Sequence, residues 1–65
     1  MQELTNTEKA LIALLKQRGL DRINVGSVLL MVQEPEKVGD LLVWVADHPK
    51  AKIREIFSKA GRLAA

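Results

Sequence analysis

Two aliphatic segments constrain this chain more than anything else in it. Val25-Gly26-Ser27-Val28-Leu29-Leu30-Met31-Val32 and Val38-Gly39-Asp40-Leu41-Leu42-Val43-Trp44-Val45 lie thirteen residues apart and share valine, glycine, leucine and valine in register. Wound as helices, the first gathers Val25, Val28, Leu29 and Val32 on one face, and the second Val38, Leu41, Leu42 and Val45. Leu30, Met31, Val43 and Trp44 then flank the opposite sides, so both helices are apolar nearly all round. Extended, the same β-branched runs would form a hairpin joined by residues 33–37, and the fold would be α+β. The punctuation favours helices. Asn24 suits an N-cap before Val25, and Pro35 with Glu36 suits a first turn after Glu34. In that arrangement the two inner faces meet, with Gly26 and Gly39 allowing a close approach.

The flanking segments read more simply. Thr5-Asn6-Thr7-Glu8 matches a capping box, with Leu11, Leu14 and Leu15 following at helical spacing, which predicts a helix over residues 6–18. Gly19 suits a left-handed cap, with Leu20 folding back as its apolar contact. A last helix is expected to open at Asp47-His48-Pro49, carry Ile53, Ile56, Phe57, Ala60 and Leu63 as one stripe, and falter at Gly61. The expected fold is all-α: a compact bundle of four short helices in one domain of 65 residues, with residues 1–4 a flexible N-terminus. A chain this short hides only about 60% of the surface its unfolded form exposes, so it cannot readily bury two helices that are apolar all round.

A resemblance supports the helical reading. The stretch Trp44-Val45-Ala46-Asp47-His48-Pro49-Lys50-Ala51, continuing to Ile56, resembles a pattern in short, uncharacterised helical proteins of gut-dwelling Firmicutes. So does Glu8-Lys9-Ala10-Leu11-Ile12 with Leu14-Leu15-Lys16. Together these cover about half the chain. The resemblance implies an all-helical fold; no activity and no site residue comes with it.

Composition closes off several kinds of chemistry. There is no cysteine, so neither a disulfide nor a thiolate metal site can form, and His48 is the single histidine. His48 has no hydroxyl beside it in sequence among Thr5, Thr7, Ser27 and Ser58, so no nucleophile and base are indicated. Asp40, Asp47 and His48 are too few and too exposed to suggest a metal site, and the scattered glycines form no phosphate-binding loop. The sequence therefore predicts neither an enzyme nor a cofactor. The longest apolar runs, residues 28–32 and 41–46, fall far short of the roughly 20 residues a membrane-spanning helix needs. With no basic, apolar leader at its start, the chain is expected in the cytoplasm.

Two surfaces remain. The formal charge is +2, and residues 50–65 carry five of the ten cations, Lys50, Lys52, Arg54, Lys59 and Arg62, against Glu55 alone. These are candidate phosphate contacts. They scatter around the wheel, however, Glu55 is placed to pair with Lys52 and Lys59, and Lys59 and Arg62 favour a helix C-terminus without any ligand. The other surface is the aliphatic excess, Leu30, Met31, Val43 and Trp44, which suits a homodimer or a protein partner. The expected function is a small, self-associating interaction module, with nucleic-acid binding through the basic segment as the alternative.

Overall fold

A computed structural model describes residues 4–65. The expectation of a flexible terminus therefore lies outside the described residues for positions 1–3. The chain is an all-helical bundle of four helices: α1 (Asn6–Gln17), α2 (Arg22–Met31), α3 (Pro35–Asp47) and α4 (Ile53–Ala64). Among the described residues there is no strand, so the hairpin alternative is excluded.

Both ends of α1 follow from its sequence. The Glu8 N–H donates to Thr5 Oγ1 at 3.1 Å, and the Thr5 N–H donates to Glu8 Oε1 at 3.0 Å, which completes the capping box. At the other end Gly19 takes a φ of +92°, in the left-handed region that favours glycine. The Leu20 N–H reaches Leu15 O at 3.1 Å and the Gly19 N–H reaches Lys16 O at 3.0 Å, the paired bonds of a Schellman motif. Leu20 is buried behind them, as its place after the glycine predicts.

The later boundaries depart from expectation. Asp21, not Asn24, caps α2: Asp21 Oδ1 accepts the Asn24 N–H at 2.8 Å, and the helix begins three residues earlier than predicted. Two competent cap residues stand three apart, and the upstream one gains an extra turn. Pro49 does not open α4. Because α3 runs on to Asp47, Pro49 falls just past its end and takes the second position of a turn, closed by the Ala51 N–H on His48 O at 3.0 Å. Helix α4 starts instead at Ile53, after Lys52. The Lys52 ammonium cannot accept a bond, so capping is one-sided, from the Lys52 N–H to Glu55 Oε1 at 3.1 Å. Nor does Gly61 break α4, which continues to Ala64.

The core is wholly aliphatic. Leu11 and Leu15 of α1, Val28 of α2 and Val32 at its C-cap, Leu41 and Val45 of α3, and Ile56 and Ala60 of α4 are completely buried, with Leu20, Val25 and Val38 nearly so. Ile12, Leu14, Leu29, Leu42, Phe57 and Leu63 pack around them. The principal helix contacts are α1 with α3, which is the most extensive, then α3 with α4, α1 with α2, and α2 with α4. Helix α2 with α3 is not among them. The two alike helices therefore send their valines into a shared core instead of meeting along one seam. Gly26 and Gly39 mark no close approach either, since a Cβ at each would meet nothing within 4 Å.

Candidate interaction surface

The four apolar residues singled out from the sequence, Leu30, Met31, Val43 and Trp44, do not stand together. Leu30 is 70% exposed and Val43 61% exposed, whereas Met31 and Trp44 are half-buried and packed against the core. Helical geometry explains the division. Met31 follows Val28 by three positions and Trp44 follows Leu41 by three, so each sits at the edge of a buried face. Met31 also reaches α4, where its Cε lies 3.5 Å from the place a Cβ on Gly61 would occupy.

Leu30 belongs to a different constellation. It lines an open groove along the outside of α2, about 840 Å³ in volume, with Leu4, Ile23, Gly26, Ser27 and Leu29, and with Glu8, Arg22 and Gln33 among its polar walls. Ile23 is 78% exposed, more than any other large aliphatic among the described residues, and Leu4 is 46% exposed. Ile23 and Leu30 are seven positions apart, two helical turns on one stripe. The sequence reading missed Ile23 because it began this helix at Val25; the cap at Asp21 is what adds the residue to the outer face. Val43 lies on α3 and does not line this groove.

At the C-terminus of α3 polar groups converge for structural reasons. Arg18, from the end of α1, donates from Nη2 to Val45 O at 3.0 Å and from Nη1 to His48 O at 2.9 Å. His48 Nδ1 lies 2.7 Å from Trp44 O; a carbonyl only accepts, so this nitrogen carries the proton. The imidazole stacks on the Trp44 indole with ring centroids 4.2 Å apart. The imidazole satisfies Trp44 O, Arg18 adds a second bond to Val45 O and to His48 O in the turn beyond, and its charge is favourable at this helix end. Both hydrogen-bonding arms of Arg18 are spent on this cap. Among the described residues no three His, Asp or Glu side chains gather, and no polar or charged side chain is buried.

The basic segment is dispersed. Lys50 sits in the turn after α3, Lys52 caps α4, Arg54 lies in its first turn, and Lys59 and Arg62 border a shallow depression with Trp44, Glu55 and Ser58. The expected pairing of Glu55 with Lys52 and Lys59 is not made. Its carboxylate takes the Lys52 backbone N–H instead, and among the described residues the single ion pair within 4 Å is Lys37 with Glu34, at 3.8 Å. No helix is long and apolar enough to cross a membrane among the described residues. No known family, curated protein or solved structure matches this chain at a significant level.

Proposed function

We propose that this protein is a small, non-enzymatic interaction module that self-associates through exposed aliphatic side chains, and that it works in the cytoplasm. The observation that carries the reading is the groove on α2, where Ile23 and Leu30 remain largely in water beside Leu4. Large aliphatics that a monomer leaves together on one face are characteristic of contact surfaces. A non-enzymatic role is supported by the state of His48, whose Nδ1 is held by Trp44 O and whose ring lies against the indole. The test is sedimentation equilibrium across a wide concentration range. Wild type is expected to show reversible association that Leu30→Lys abolishes, and a monomer at the highest concentration would contradict the reading.

Nucleic-acid binding through Lys50, Lys52, Arg54, Lys59 and Arg62 is the second reading. It is favoured by one observation, that none of the five has a carboxylate within 4 Å among the described residues. If it holds, the protein is retained on DNA or RNA at low salt, and replacing Lys52, Lys59 and Arg62 together by Gln weakens retention and flattens its salt dependence. No retention of wild type at low salt would dispose of it.

A further inference from the structure

We infer that the outer face of α2 takes a second copy of this chain, antiparallel, about a two-fold axis passing between Gly26 and Ser27. The inference rests on the interaction reading above and adds to it the direction and the register in which two copies meet. Its first support is the spacing of the stripe. Gly26 and Ser27 fall midway between Ile23 and Leu30, so a two-fold axis at that point lays Ile23 of each copy on Leu30 of the other. Aliphatic then meets aliphatic twice, around a centre made of the two smallest residues of the face.

The second support is the glycine itself. Gly26 lies inside α2 without a positive φ, and a Cβ there would meet nothing within 4 Å. The same is true of Gly39 on α3, so the open space alone does not single Gly26 out; its place between the exposed Ile23 and Leu30 does. There the missing side chain lets a partner backbone approach closely.

Charge selects the direction. Arg22 stands at the N-terminal end of the face, and Glu34, which is exposed and loosely paired with Lys37 at 3.8 Å, follows its C-terminal end. An antiparallel copy brings the Arg22 end of each chain to the Glu34 end of the other and opposes the two helix dipoles, whereas a parallel copy sets arginine against arginine.

Area sets the strength. A stable dimer buries roughly 800 Å² on each partner, and the whole chain exposes 4676 Å². A helix of ten residues is about 15 Å long and covers less than such an interface needs, even with Leu4 at its flank. The association is therefore weak and reversible, and it is to be sought at high protein concentration.

The absence of native cysteine makes the register directly readable. Ser27→Cys, oxidised mildly near 1 mM, is expected to form a disulfide-linked dimer at least tenfold faster than Asp40→Cys, although Asp40 on α3 is the more exposed of the two. In an equimolar mixture of Ile23→Cys and Leu30→Cys, the mixed dimer is expected to exceed the share of one half that random pairing gives, and a share of one half or less would overturn the antiparallel register. Dimerisation by sedimentation without preferential cross-linking of Ser27→Cys would overturn the α2 face while leaving self-association standing. A monomer near 1 mM would overturn both. Unchanged helical circular dichroism in each variant shows that the comparison is between folded chains.

Discussion

Helices α2 and α3 carry nearly the same pattern and reach different ends. In α3, Val38, Leu41 and Val45 are buried, Leu42 and Trp44 pack against the core, and of the large aliphatics in the segment only Val43 stays in water. In α2, Val25 and Val28 are buried, yet Ile23 and Leu30 are exposed two turns apart on one stripe. The difference lies in their neighbours. Helix α3 packs against α1 along the most extensive contact of the molecule and also against α4, while α2 shares α1 and α4 over lesser contacts. A repeated pattern fixes which residues share a face; the packing of the other helices decides whether the opposite face is covered.

The sharpest way to break this comparison is to truncate one leucine from each helix. Leu41→Ala removes a completely buried side chain and is expected to cost about 2–5 kcal/mol, a large share of the stability of a domain this size. Leu30→Ala removes an exposed one and should alter the stability of the dilute monomer by about 0.5 kcal/mol or less. Urea unfolding at low concentration measures both. Equal losses would mean that α2 is as central as α3.

The next effect concerns how α3 is held. Arg18 bonds two carbonyls at its C-terminus, and Arg18→Ala is expected to cost about 1.5–3 kcal/mol. Arg18→Lys should recover only part of that, because an ammonium cannot match the paired geometry of the guanidinium. Thermal melting of the two variants checks the order: wild type, then lysine, then alanine.

Smaller still is the contrast at the N-termini. Asp21 caps α2 with a side-chain bond at 2.8 Å, whereas Glu34 before α3 makes no such bond and the turn is begun by Pro35. Asp21→Ala should therefore cost about 1 kcal/mol and Glu34→Ala only a few tenths. A loss at Glu34 as large as that at Asp21 would show the caps to be equivalent.

Much of the fold was legible because it is local. Thr5 with Glu8, Gly19 with Leu20, and Pro35 each declare a helix end through chemistry confined to a few residues, and all three act as their sequence predicts. Positions with two valid local meanings were not legible. Asp21 and Asn24 can each cap a helix, and Pro49 can open one helix or follow another. The choice in both cases was made by how far the neighbouring helix extends. The pairing of α2 and α3 is not legible for a further reason: a face pattern names no partner, and adjacency in sequence is not adjacency in space. Part of the candidate surface was visible from sequence in Leu30. Ile23 was hidden by the displaced start of α2, and Met31 and Trp44 sit at the edges of buried faces, where a wheel drawn without neighbours cannot show what covers them.

The twin glycines offer the smallest contrast. Gly26→Ala and Gly39→Ala both have open space for the added Cβ, so each should stabilise the dilute monomer by about 0.5–1 kcal/mol. Only Gly26→Ala should also weaken association, which sedimentation of the two variants would show.

In the proposed dimer α2 presents its outer face to a second copy while α3 serves the interior. Backbone amide NMR of the wild-type chain over a dilution series tests this arrangement without any substitution. The shifts that move with concentration are expected to cluster at Ile23, Gly26, Ser27 and Leu30, with Val43 and its neighbours unmoved. Shifts centred on Val43, or none at all up to about 1 mM, would contradict it.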